Sequence, residues 1–470
     1  MNKITIIQFA FWLLLVTPVF VNAQFEQGLE MEEQVEDETE APKKEIKPLI
    51  KLWYLEGQGA FIDSTKLDTT LNYFHLYNPI YHKNDVSVAY LGNYGTPYQN
   101  NNFFEREKTF DFFFLQNREA YLLSPEKVQY YNTRTPYTML DFSQSEHRTR
   151  KNETRFNVLH TQNINPFFNV TLRYDQARSE GQYENQAAKN SFVNVNSNYN
   201  RNNLRIHGGV ISNTIRNYEN GGLTNINDIL RNDDTEFLDV NLNNTQSVFG
   251  NFYAYATGEY RIGKGGIKIK SSGDSIRNGE EVDLEVDELE IEPFRPILGI
   301  IYSFEYQNNK REFSDEEETS NDYFEFDYYG DNYYKDSIRF RKISNLLQLK
   351  QYENPESKTS FGKRAFLGQE LVKATSPGPL LDTANWRIKR YSNIYAGAGI
   401  FRETGKFWTW NFDGKIYLLG RNAGQTELSG IISKPFSLLG DSAAAISIDG
   451  KLQNLVPDYF QEEFYAQHIR

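Results

Sequence analysis

From about residue 136 onward, apolar and polar side chains alternate along the chain with a period of two. Between Phe168 and Arg178, Phe168, Val170, Leu172 and Tyr174 fall on one side, and Asn169, Thr171, Arg173 and Asp175 on the other. An extended strand sorts side chains in this way. Residues 298–306 repeat the pattern, with Leu298, Ile300, Tyr302, Phe304 and Tyr306 against Ser303 and Glu305. Residues 408–418 do so again, with Trp408, Trp410, Phe412, Ile416 and Leu418 opposing Asn411, Asp413, Lys415 and Tyr417. A helical period fits none of these windows. Short links at Asn165-Pro166, Asn202-Asn203 and Gly405-Lys406 mostly alternate with longer polar links at 179–190, 218–244, 308–336 and 373–387. This spacing predicts about fourteen strands between 136 and 470, give or take roughly two.

Strand length separates two all-β architectures. Stretches such as 245–261 and 388–402 exceed the roughly 5–6 residues usual for globular strands. About ten tilted residues cross a bilayer. The expectation is therefore an all-β chain forming a transmembrane antiparallel β-barrel of the outer membrane, with about 14 or more strands. A secreted sandwich is the competing fold. Two features fit poorly: the long link 262–293 falls where a short turn is expected, and the end Ala466–Arg470 lacks an apolar closing strand. The chain is expected to lack its last strands, because an unpaired edge is not viable in lipid.

The N-terminal part divides differently. Lys3, the apolar run Ile4–Phe20, and the small residues Val21 and Ala23 before Gln24 read as a signal peptide over residues 1–23. Residues 24–48 hold nine acidic and three basic side chains between Glu26 and Lys47 and read as an acidic, disordered periplasmic leader. Residues 49–135 are aromatic-rich but irregular. They form a candidate plug or constriction, with a small periplasmic domain or extra strands as the other readings. Residues 136–470 supply the barrel strands.

Composition sharpens the picture. Aromatics make up 15% of the chain and charged residues 24%, with 34 Phe and 31 Tyr. Interleaved lipid-facing and lumen-facing residues with aromatic girdles give that mixture. The net charge of −13, without basic clusters, argues against nucleic acid as a partner. The absence of cysteine removes disulfides and thiol chemistry.

Catalytic patterns are sparse. The histidines His75, His82, His147, His160, His207 and His468 show no metalloprotease spacing, and no Gly-x-Ser-x-Gly elbow occurs. Asp141 with His147 is the one pair that suggests a barrel hydrolase. Arg261–Gly266 lacks the full phosphate-loop pattern and reads as a glycine-rich turn. No cofactor or metal site is expected. A pore instead needs lumen charges that set ion preference. The candidates are Arg173, Asp175, Arg205, Glu305, Arg339, Arg341 and Lys415.

Several short motifs occur in order. They are Leu67–Pro79, Val88–Asn93, Ala120–Pro125 and Tyr131–Tyr137, then Gln162–Pro166 with Phe168–Tyr174. Together they resemble the putative porin family of Bacteroidetes over most of residues 60–470. The resemblance implies an outer-membrane β-barrel in chains longer than this one; the acidic insert 274–292 has no counterpart in it. The expected function is passive diffusion of small hydrophilic solutes, by a non-enzyme. A non-conducting barrel serving as a structural or partner-binding scaffold, through loops 218–244 and 308–336, is the alternative, ahead of a barrel hydrolase. The expected surroundings are the lipid bilayer and lipopolysaccharide of the outer membrane, with homo-oligomers left open.

Overall fold

The computed structural model describes residues 50–468 apart from 66, 68–87, 104–105, 107–110, 146–151, 231–233, 269–289, 317–322, 330–334, 355–356, 358, 379–385, 405–407 and 439–440. The expected signal peptide 1–23 and leader 24–48, His75, His82, His147, and most of motif 67–79 and of insert 274–292 lie outside the described residues. Among those described, no helix is long and apolar enough to cross a membrane.

Five short strands come first: β1 (Ile50–Glu56), β2 (Phe61–Thr65), β3 (Val88–Tyr90), β4 (Tyr98–Asn100) and β5 (Tyr130–Thr133). They make a three-stranded sheet, β2-β1-β5, and a hairpin, β3-β4. Thirteen strands then form one antiparallel sheet in which every strand pairs with its sequence neighbours. These are β6 (Tyr137–Gln144), β7 (Glu153–Asn165), β8 (Phe168–Ser179), β9 (Ala188–Arg201), β10 (Leu204–Tyr218), β11 (Thr245–Lys268) and β12 (Glu290–Asp315). After them come β13 (Lys335–Gln351), β14 (Gly362–Pro377), β15 (Trp386–Arg402), β16 (Thr409–Gly420), β17 (Thr426–Leu438) and β18 (Asp441–Asn454). Strands β6 and β18 are its two edges.

The turn chemistry that marks the links also builds them. The Asn165 side-chain oxygen accepts the amides of Phe167 and Phe168, both at 2.9 Å, which fixes the tight connection from β7 to β8. The long link expected at 262–293 is corrected by the pairing. The β11–β12 ladder continues beyond Ile262 to Lys268 opposite Glu290, interrupted by register shifts at Ile262/Gly263 and Lys264/Gly266. Charged, glycine-containing sequence there hides a strand extension.

The two faces of this sheet have opposite polarity. Along β13, Leu347 and Leu349 are 49% and 50% exposed, whereas the intervening Gln348 and Lys350 are 1% and 3% exposed. The same inversion recurs on β9, where Asn194, Asn196 and Asn198 are buried and Val193 and Val195 are exposed.

The described residues between 50 and 133 pack on the polar face, here called the inner face. The Trp53 indole donates to His207 Nε2 at 3.2 Å. Asn213 clasps the Leu123 backbone twice, accepting its N–H at 3.0 Å and donating to its carbonyl at 2.9 Å. Asn213 also donates to Asn251, which donates to Asn309, in a ladder across β10, β11 and β12. The β1–β2 turn aims its carbonyls at the wall. Gly57 accepts from Arg364 (3.1 Å), Gln58 from Ser303 and Gln348 (both 3.0 Å), and Ala60 from Lys350 (2.7 Å). Positive φ at Gly57 (56°), Gln58 (57°) and Gly59 (90°) produces that tight reversal.

Toward the long-loop end the inner face turns apolar. Phe112, Leu115 and Tyr121 cluster with Ile215, Phe249, Ile338 and Phe340. After β18 the chain returns to this cluster through a short helix, α1 (Tyr459–Glu462), whose Phe460 meets Phe112 edge-on at 5.7 Å. Asp458, just before α1, accepts the Phe113 amide at 3.2 Å.

Two outcomes follow from this docking. A side chain at Gly59 would place its Cβ 2.5 Å from Thr257 Cγ2 on top of a positive φ. Gly59→Val should therefore cost about 1–3 kcal/mol locally and loosen the paired strand β1 so that trypsin cleaves after Lys51 faster in the folded protein; digestion identical to wild type would contradict the docking. Burial also raises the Asp458 carboxyl from 3.8 to about 7, so the folded chain holds that proton while the unfolded chain loses it. Stability should then fall as pH rises from about 4 to 7 and level off above. Asp458→Asn should lack this slope in thermal unfolding between pH 5 and 8, and parallel profiles would refute the assignment.

Candidate functional site

The period of two settles which charges reach the inner face. Arg173 and Asp175 alternate inward on β8 with buried Asn169 and Thr171. The Arg173 guanidinium sits 5.3 Å from the Phe192 ring, and Asp175 pairs with Arg155 at 2.6 Å. Arg205 reaches Glu259 at 3.5 Å beside a cavity of about 120 Å³ that Lys350, Tyr352 and Glu403 also line. Lys415 pairs with Glu427 at 3.2 Å and stacks 4.9 Å from the Tyr417 ring. Glu305 lines a larger cavity.

Arg339 and Arg341 lie elsewhere. Their neighbours Ile338, Phe340 and Lys342 are the residues turned inward, and the two arginines take the opposite face, where Arg341 reaches Asn308 at 3.4 Å. Polarity misleads here because the inner aromatic cluster claims the apolar residues of this stretch. One register step then sends the arginines outward.

The larger cavity, of about 310 Å³, lies between residues 55–130 and strands β11–β15. The backbone register explains its lining. Tyr255, Glu305, Ser344, Glu370 and Asn393 are successive partners across β11, β12, β13, β14 and β15, so they form one row on the inner face. Lys342 occupies the next inward position on β13 and forms an ion pair with Asp111. Glu370 accepts from Asn393 at 3.0 Å and from the Tyr417 hydroxyl at 3.1 Å. Glu119 pairs with Lys127 at 2.7 Å.

Sequence reading missed Glu370, Lys342, Asp111 and Glu126 in this lining. Glu370 was accessible to the same alternation argument, since it shares a face with Arg364, Phe366 and Gly368 on β14. Asp111 and Glu126 sit in irregular backbone, where no period assigns a direction.

Chemically, the site is a recess lined by carboxylates, amines, hydroxyls and aromatic rings. Among the described residues, no group of three or more His, Asp or Glu side chains is placed to hold a metal ion. The inner face supplies carboxylates, amides, hydroxyls and aromatic rings, the equipment of a selective passage or pocket.

No curated protein matches the chain. A family model described as putative porin matches residues 54–470, which takes in most of the inner segment and the whole thirteen-stranded sheet. The chain belongs to the putative porin family.

Proposed function

We propose that this protein is an outer-membrane β-barrel channel for passive diffusion of small hydrophilic solutes, with residues 50–133 narrowing its lumen. One observation carries the reading: the sheet buries amides and charges and exposes leucine, isoleucine and valine. In water that arrangement wastes the hydrophobic effect on one face and strands polar groups on the other. In a bilayer both faces are matched. The outward apolar run from Leu298 to Tyr306 covers about 26 Å of strand at roughly 3.3 Å per residue, close to the apolar band of roughly 25 Å that such barrels present. Beyond it, outward Lys310 and Glu312 on β12 are charged, and their ion pair suits a water-facing rim. The reading requires the β6 and β18 edges to be satisfied in the membrane. It also takes residues 1–23 as the export signal and 24–48 as a periplasmic leader.

The family assignment supports the same reading at a coarser level. A non-conducting scaffold is the second reading. It is favoured by the hydrogen bonds that hold the inner segment to the sheet, with paired carbonyls at Gly57, Gln58, Ala60 and Leu123.

Reconstitution in a planar bilayer separates the two. The channel reading predicts step-like openings whose conductance scales with salt, whereas a folded, heat-modifiable but silent protein selects the scaffold. Membrane contact has its own test. Leu347→Arg on the outward face should lower folding stability by about 2–4 kcal/mol in lipid, while Ser337→Arg, outward near the long-loop end, should cost about 0–1 kcal/mol. Equal effects at the two positions would remove the lipid assignment.

A further inference from the structure

The 310 Å³ cavity is acidic beyond what its own amines neutralise. Asp111, Glu119, Glu126, Glu305 and Glu370 line it, against Lys127 and Lys342. Lys127 and Lys342 are already engaged with Glu119 and Asp111. Of the remaining carboxylates, Glu370 is held by Asn393 and Tyr417. Glu305 sits one strand pairing from Tyr255 and two from Glu370, about 10 Å across the sheet at roughly 4.8 Å per strand. Among the described residues, no group of three or more His, Asp or Glu side chains is placed to hold a metal ion.

The rest of the lining points to a different cation. Tyr130, Tyr253, Tyr255 and Tyr395 form aromatic walls around the recess. Aromatic faces attract weakly hydrated ammonium groups more than tightly hydrated metal ions. The inner face uses this contact elsewhere, with Arg118 4.0 Å over Phe249 and Lys415 4.9 Å from Tyr417. A further group awaits a partner: Asn309 lines the cavity at 0% exposure, and its Nδ2 donates to nothing. Leaving a buried donor unmet is costly.

We propose that this cavity binds small organic ammonium ions, with Glu305 as counter-ion and the tyrosines as walls, so that the passage prefers cations to anions. The proposal rests on the channel reading for its route but not for its site. Its size, near the lower end of ligand pockets, suits a compact ion and not an oligomer.

Two readouts on the full chain test it. Under a tetramethylammonium chloride gradient across a planar bilayer, the reversal potential should show cation preference. Glu305→Gln should reduce that preference severalfold, and Glu126→Gln, an exposed change unlinked to sheet packing, should reduce it less. In detergent, tetramethylammonium chloride should raise Tm above sodium chloride at equal ionic strength, and Glu305→Gln should abolish the difference. Conductance that favours chloride, or a preference indifferent to both substitutions, overturns the cation site while leaving the channel. A silent bilayer removes the channel, and the Tm comparison then decides: equal Tm in the two salts overturns the site.

Discussion

A sheet that buries asparagine and exposes leucine needs a polar filling on one side and an apolar medium on the other. The described inner segment answers the first demand, and the proposed bilayer answers the second. Apart from the β6 and β18 edges, the strands satisfy their backbone groups through continuous antiparallel pairing. The inner side chains remain, and many are amides that cannot be left dry without cost. Residues 50–133 supply what they lack: backbone carbonyls and N–H groups presented by turns and irregular stretches, where helices or long strands would have used them internally. Asn213 shows the logic most directly, since it binds the Leu123 backbone at both ends while continuing the amide ladder to Asn251 and Asn309.

That filling is incomplete in a patterned way. At the short-turn end the β1–β2 turn is pinned by Arg364, Gln348, Lys350 and Ser303. At the long-loop end, Phe112 and Phe460 close an aromatic cluster between the inner segment and the returning tail. Between them lies the acidic, tyrosine-walled cavity. To the charge of this recess the strand row contributes Glu305 and Glu370. Docking contacts and the proposed selectivity thus fall at different levels of the same face.

Much of the sheet was legible in the sequence because a period of two is a strong, local signal. Windows 168–178, 298–306 and 408–418 fall within or largely overlap β8, β12 and β16 with the expected side-chain partition. Among the described residues the sheet has thirteen strands, against about fourteen expected. The 262–293 link failed because charged and glycine-rich sequence continued a ladder beyond the apolar belt, where polarity no longer reports on pairing. Arg339 and Arg341 failed for a related reason: inner-face Ile338 and Phe340 answer to Phe112, a residue with no sequence-level link to β13. The site was less legible still. Its lining joins Asp111 and Glu126 from irregular backbone to Glu305, Lys342 and Glu370 from three strands, and no local pattern connects them.

The central claim is that the outward face of the sheet meets lipid. The chain contains no cysteine, so single cysteines introduced one at a time along β13 can carry a spin label without background. In lipid vesicles, labels at 345, 347 and 349 should collide readily with oxygen and poorly with a water-soluble nickel chelate. Labels at 344, 346 and 348 should be shielded from oxygen, giving a period of two. Uniform nickel accessibility along the strand, or the opposite phase, would contradict the account.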